Sequence, residues 1–306
     1  MTTVVSQQVQ SEIDFPSLRK YDDGTYMSRK LPEVIEEEKT VVYSDTQVHL
    51  LILRPLGTEN ETLPAVIFIH GGGWTTGSRY THGKPAWDIC VQNRVAVVFV
   101  NYTLAPEVQF PFSNEECFAA LGWVYQHGND INIDVNKLVM CGDSSGGHLT
   151  ASTALMAKDR GLEDALKSQI LVYPVVAPPI WSFPSNNLFG NGEYVLTTAQ
   201  VTMAKKCYLG HDDRNFDNKY AFPLVATVDE LKGLPPTLML TAEADTLRDE
   251  GESYARKLTK AGVPTVAIRT LGTVHGYFNV DVKETLAYRQ TMAIISNALK
   301  EAFSNK

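Results

Sequence analysis

From about residue 40 onward, short runs of nearly continuous apolar residues alternate with stretches in which apolar side chains recur at helical spacing, the pattern of a sheet covered by helices. Thr40–Tyr43 and His49–Pro55 read as an opening antiparallel pair. Ala65–His70, Val95–Tyr102, Leu138–Gly142, Ile170–Val175, Thr237–Thr241 and Ala267–Leu271 read as strands of the kind buried on both faces. Between them, Asn114–His127 is predicted helical because Phe118, Leu121 and Tyr125 recur along one side. Glu250–Ala261 is predicted helical because Tyr254, Leu258 and Ala261 do the same, with Gly262 at the expected stop. A last helix is expected over about Lys283–Phe303. The predicted class is α/β, with a mostly parallel central sheet flanked by helices.

Two segments fall outside this alternation. One is residues 1–38; the other is 178–224, where Pro178, Pro179, Trp181, Phe183, Pro184, Phe189, Tyr194 and Tyr208 interrupt the chain between two core strands. An aromatic insertion of that length is more than a connection. Both segments read as parts of a helical cap over the carboxyl ends of the strands, where open parallel sheets place their ligands. The expected organisation is a main domain of residues 39–177 and 225–306, capped by 1–38 and 178–224.

Composition removes several function classes. A chain of 306 residues with 44 % hydrophobic and 20 % charged residues has ample material for a sizeable core. Its 27 Lys and Arg against 35 Asp and Glu leave a formal charge of −8, which argues against a nucleic-acid or anionic-membrane binder working through basic patches. No run approaches the roughly 20 apolar residues of a transmembrane helix. The first residues are polar, with Glu12 and Asp14 and no basic flank leading into an apolar run, so a cytoplasmic location is expected. Cys90, Cys117, Cys141 and Cys207 lack the paired spacing of a disulfide framework or a zinc site and are expected to be free buried thiols. A homo-oligomer stays open.

The most informative residues are Gly142-Asp143-Ser144-Ser145-Gly146-Gly147, placed after the strand Leu138–Cys141 and before the helix-like His148–Ala157. A G-x-S-x-G turn of this kind holds its serine out at a strained tip, and flanking glycines are needed because strand and helix pack too closely for a Cβ. The spacing to Gly142 and Gly146 selects Ser144 over Ser145. Ser145 instead offers a backbone N–H at a helix N-terminus, where partial positive charge favours an oxyanion. A second motif, His70-Gly71-Gly72-Gly73-Trp74, follows the strand Ala65–Ile69, at the position of the loop that completes an oxyanion hole. Glycines there let bare amides converge on a reacting carbonyl.

A neutral serine hydroxyl needs a histidine base, and the histidine needs a carboxylate to fix its tautomer. In this fold the order along the chain is serine, acid, histidine. Downstream of Ser144 stand His148, His211 and His275. His148 sits one turn along the elbow helix, pointing away from the serine, and His211 lies in the insertion beside Asp212 and Asp213. His275, in Gly272-Thr273-Val274-His275-Gly276-Tyr277 just after the last strand, is left as the base. For the acid, the strand Thr237–Thr241 runs into Ala242-Glu243-Ala244-Asp245-Thr246-Leu247-Arg248-Asp249, where Glu243 and Asp245 compete. Asp249 and Glu250 begin a helix and suit its N-terminal dipole.

Taken together, the H-G-G-G-W loop, Asn101-Tyr102-Thr103-Leu104-Ala105-Pro106-Glu107, Gly142–Gly147, Leu171-Val172-Tyr173-Pro174, Ala242–Ala255 and Val274–Phe278 resemble the hormone-sensitive-lipase family of α/β-hydrolases, from about residue 40 to the end. The resemblance implies the α/β-hydrolase fold, a serine esterase with a cap from the N-terminus and from the insert after the sixth strand, and no cofactor. Residue by residue it implies Ser144 as nucleophile, Asp245 as acid, His275 as base, and the amides of Gly72, Gly73 and Ser145 as oxyanion hole. Three positions depart from the family pattern: Ser145 for alanine, Thr103 for arginine and Thr246 for proline. None removes a catalytic group.

The expected activity is hydrolysis of short- to medium-chain carboxylic esters of small molecules through an acyl-enzyme, with Trp74, Phe183 and Phe189 as pocket walls. Two alternatives accompany it. The H-G-G-G-W loop also resembles that of arylformamidases and related amide hydrolases, and plant hormone receptors related to the family bind a ligand in the same pocket. In those receptors the histidine is lost, whereas His275 is present here.

Overall fold

The opening hairpin follows from its turn. β1 (Val34–Tyr43) and β2 (Thr46–Pro55) pair antiparallel with Tyr43 opposite Thr46. The two residues between them, Ser44 and Asp45, have φ of 47° and 63°, the turn geometry whose twist matches antiparallel strands. The remaining strands are β3 (Leu63–Ile69), β4 (Ala96–Asn101), β5 (Ile133–Asp143), β6 (Ser168–Val172), β7 (Thr237–Ala244) and β8 (Thr265–Val274). They run parallel to one another, and β2 joins them antiparallel through β4. The computed structural model describes residues 13–210, 213–279 and 285–304, and in it the eight strands form one sheet in the order β1-β2-β4-β3-β5-β6-β7-β8.

The alternation of side chains along each strand divides the core into two layers. On one face, Val66 and Phe68 of β3 and Val97 and Phe99 of β4 pack with Trp87 and Ile89 of α2 (Arg79–Asn93) and with Met292, Ile295 and Leu299 of α9 (Leu286–Ser304). On the other, Ile67, Ile69, Val98 and Val100 pack with Phe118 and Leu121 of α3 (Phe112–His127), Leu149 and Leu155 of α4 (Ser145–Asp159), and Tyr254 and Leu258 of α8 (Arg248–Lys260). The remaining helices are α1 (Phe15–Tyr26), α5 (Pro184–Phe189), α6 (Thr198–Leu209) and α7 (Val228–Leu231). All four cysteines are buried and free. No helix among the described residues is long and apolar enough to cross a membrane.

Several expectations change in detail. β1 takes in Val34–Glu38, which the pattern left in the N-terminal segment, because the exposed Glu36, Glu37 and Glu38 hide the strand among charges. The apolar run Ile170–Val175 is a strand only as far as Val172, since the chain turns at Tyr173 with φ of 36°. Ala267–Leu271 is not buried on both faces: β8 is the sheet edge, with Val266 and Leu271 59 % and 70 % exposed. Helix α2 has no counterpart in the prediction; Gly83 and Pro85 stand inside it, yet a Ser78–Thr81 capping box starts it and Trp87 buries it. The start of the last helix near Lys283 lies outside the described residues; the described part begins at Leu286.

Candidate active site

The glycine loop, Ser144, Asp245 and His275 each follow the carboxyl end of a parallel strand, β3, β5, β7 and β8. β5 passes into α4 through Ser144 alone, whose φ of 54° and ψ of −119° place it in a region that costs a non-glycine residue about 1–3 kcal/mol. Surrounding bonds hold it there: Ser144 N–H donates to Val172 O at 2.8 Å, and Ser144 O accepts from His148 N at 3.0 Å. The flanking glycines are required by contact. A Cβ on Gly142 would lie 2.3 Å from Gly146 O, and one on Gly146 would lie 2.0 Å from Ile69 O.

The structure brings Ser144, His275 and Asp245 into one relay. His275 Nε2 lies 2.9 Å from Ser144 Oγ, and His275 Nδ1 lies 2.7 Å from Asp245 Oδ2. Because a carboxylate can only accept, the proton sits on Nδ1 and leaves the Nε2 lone pair facing the serine hydroxyl. Asp245 is buried, and its other oxygen accepts from Leu247 N at 2.9 Å. Burial opposes protonation of His275, but the charge and hydrogen bond of Asp245, with Asp143 adding to them, outweigh it and hold the imidazole above its ordinary value.

The rival carboxylates are placed elsewhere. Glu243 falls where β7 slips register against β8, and its Oε2 accepts from Gly272 N at 2.6 Å, away from His275. Asp249 accepts from Ser185 N, and Glu250 from Val176 N and Ala177 N. His148 is buried and turned from Ser144, as the helix geometry predicts: Nδ1 accepts from the Trp74 indole at 3.2 Å and Nε2–H donates to Ala221 O at 2.8 Å. Burial pushes it down to about 3, so it stays neutral. His211 and Asp212 lie outside the described residues.

The glycine loop folds back over the elbow. Gly72, Gly73 and Trp74 all have positive φ, at 107°, 62° and 61°. A Cβ on Gly72 would meet Thr76 O at 2.3 Å. Two side chains next to the nucleophile tie this loop down, and sequence reasoning gave neither that task. Ser145 Oγ accepts from Trp74 N at 3.1 Å, so the hydroxyl standing for the usual alanine anchors the loop. Asp143 Oδ1 accepts from Gly71 N at 3.0 Å, and its other oxygen accepts from Asn279 Nδ2. Burial pushes Asp143 up to about 7 against the opposing pull of Gly71, His275 and Asn279. The available signal was its position within the elbow motif itself.

Ser144 and His275 open into a cavity of about 460 Å³. One part of its wall is apolar, from Val175, Leu196, Val201, Met203, Ala204 and Leu247; the other is polar, with Asp22, Thr81, His82, Gln200 and Asn279. Trp74 lines it, locked by a stack on Tyr208 with ring centres 4.4 Å apart. Phe183 and Phe189 do not line it. Helix α5 is pinned by Ser185 and Asn186 to Thr246 O, which turns Phe183 into the core and sets Phe189 against Tyr194 and Arg248.

This arrangement is a recurring one. Residues 66–279 match the family model described as the alpha/beta hydrolase fold. An arylesterase of Saccharolobus solfataricus is 33 % identical over 85 % of this chain and 81 % of its own length, and a carboxylesterase of Mycobacterium tuberculosis is 34 % identical over 81 % and 77 %. Among solved structures, a fungal esterase from Rhizomucor miehei superposes with a TM-score of 0.92 at 41 % identity, covering 96 % of this chain and 92 % of that one. The chain belongs to the α/β-hydrolase fold family, in its hormone-sensitive-lipase-like branch.

Proposed function

We propose that the protein is a serine carboxylesterase whose nucleophile is Ser144, whose base is His275 and whose orienting acid is Asp245. The observation that carries this is the continuous relay of 2.9 Å and 2.7 Å bonds ending at the cavity floor. The named relatives are esterases, so neither the amide-hydrolase nor the ligand-receptor alternative is favoured.

In the first half-reaction, Ser144 Oγ attacks the ester carbonyl carbon while His275 Nε2 takes its proton. The negative charge that develops on the carbonyl oxygen is met by the N–H groups of Gly72, Gly73 and Ser145, each correctly aimed donor being worth about 3–4 kcal/mol in the transition state. His275, now an imidazolium held by Asp245, donates its proton to the leaving alkoxide oxygen as the carbon–oxygen bond breaks. In the second half-reaction water replaces the alcohol and attacks the acyl carbon while giving a proton to His275 Nε2, which then returns it to Ser144 Oγ as the acyl–Oγ bond breaks and the acid leaves. Asp143 and Ser145 Oγ support the chemistry by holding the loop that bears the glycine amides.

We read the segment before β1 and residues 178–224 as the cap, since residues 34–38 of the expected 1–38 segment belong to the sheet. Asp22 and Tyr26 from the first and Leu196, Gln200, Val201, Met203 and Ala204 from the second lie along the cavity wall, which supports that division. The apolar wall suits an acyl chain of short to medium length in a cavity of this volume. The test is hydrolysis of p-nitrophenyl esters of increasing chain length by wild type, Ser144→Ala and His275→Ala. The expected result is turnover that peaks at short or medium chains and falls on the order of 10⁴-fold or more in either variant. A folded wild type inert on every ester would sink the reading.

A further inference from the structure

The family match covers residues 66–279, yet the glycine loop is held from outside that span. A loop of glycines has no side chains to pack, so the aim of its N–H groups depends on what fixes its carbonyls. Gly72 O accepts from Thr75 N at 3.2 Å and Thr76 N at 3.0 Å, and Trp74 O accepts from Ala105 N at 2.8 Å. The next carbonyl, Thr75 O, accepts from Arg19 Nε of helix α1 at 2.7 Å. The same guanidinium donates to Ala105 O at 2.8 Å and grips both oxygens of Glu107 at 2.8 Å. One planar cation therefore joins α1 to the glycine loop and to the segment on which that loop rests. Arg19, Asp22, Asp23 and Tyr26 share one side of α1 by their spacing, and Asp23 accepts from Ser78 Oγ just beyond the loop.

We propose that Arg19 is a positioning residue for the oxyanion loop, so that the N-terminal helix sets the aim of the Gly72 and Gly73 amides through this side chain. The proposal rests on the esterase reading above. Arginine suits the task because its rigid fork reaches two carbonyls and a carboxylate at once, which a lysine ammonium on a flexible stem does not reproduce. Arg19 lies 56 residues from Thr75 and 86 from Ala105 along the chain, a link that no local pattern reveals.

The experiment compares wild type, Arg19→Gln, Arg19→Lys, Glu107→Gln and Ser144→Ala on p-nitrophenyl acetate, with kcat, KM, melting temperature and inhibition by a trifluoromethyl ketone. That inhibitor adds to a serine hydroxyl and leaves an oxyanion in the hole. Both Arg19 variants should lose about 10-fold or more in kcat, less than the ~10²–10³ expected from losing one donor outright. KM should stay within about twofold, and the inhibitor should weaken by the same factor as kcat, the mark of an interaction made in the transition state. Lysine should fail to rescue. Glu107→Gln, which keeps both carbonyl bonds, should show a smaller loss in the same direction and serves if the Arg19 variants do not fold. Lower melting temperature with unchanged kcat and inhibition would overturn the proposal. Wild-type turnover that Ser144→Ala abolishes, beside full activity in the Arg19 and Glu107 variants, would sink this inference alone. An inert wild type would sink the esterase reading with it.

Discussion

Glu250→Gln should destabilise the protein strongly at neutral pH and progressively less as the pH rises toward the ordinary lysine value. Glu250 and Lys205 are 2 % and 4 % exposed, and Lys205 Nζ lies 3.5 Å from Glu250 Oε2. Burial pulls the lysine below and the glutamate above its ordinary value, with their mutual attraction opposing both. Glutamine keeps an acceptor for Val176 N and Ala177 N but removes the charge facing Lys205. Breaking such a buried pair from one side costs about 3–5 kcal/mol. The lysine can escape by losing its proton, and deprotonating an ordinary lysine at pH 7 costs about 4.6 kcal/mol, which sets the ceiling. The sign follows. With its folded-state value depressed, Lys205 penalises the variant at pH values where the unfolded chain holds that proton, and the penalty fades as pH rises toward the ordinary lysine value. Urea unfolding of wild type and variant from pH 6 to 10 measures it. The expected cost is about 3–4.5 kcal/mol at pH 7, shrinking by pH 10, and largely recovered in Lys205→Met/Glu250→Gln. A cost independent of pH, or a double variant as weak as the sum of the singles, would refute the reasoning.

Two further outcomes are expected. Asp245→Asn should lower kcat by about 10⁴-fold and move the rising limb of the pH–rate profile to lower pH, because Asp245 is the charge that holds His275 above its ordinary value; an unmoved limb would contradict that assignment. Ala204→Phe should truncate the chain-length profile of ester hydrolysis, while Phe189→Ala should leave it unchanged, since Ala204 lines the cavity and Phe189 packs beside Arg248.

What the sequence made legible was local. The elbow is legible because its glycines are forced by contacts within a few residues and one neighbouring strand, and because strand and helix patterns flank it. Glu243 and Asp245 could not be separated by pattern alone, because the register slip in β7 that turns Glu243 toward Gly272 leaves no trace in composition. The cavity wall was misjudged for a related reason. Bulky aromatics such as Phe189 look like pocket residues, but α5 is anchored through two small polar side chains, and the wall falls to Val201, Met203 and Ala204 on a helix of mixed polarity. Arg19 and the buried Lys205–Glu250 pair depend on contacts between distant segments, which only folding brings together.

The most direct measurement is the site of covalent capture by paraoxon, which transfers its diethyl phosphoryl group to an activated serine and releases p-nitrophenolate. Intact-mass and peptide mass spectrometry should find one adduct per chain, on the peptide carrying Ser144, with the reaction abolished in Ser144→Ala and strongly slowed in His275→Ala. An active enzyme that takes no adduct, or takes it on another residue, would contradict the assignment of Ser144 as the nucleophile.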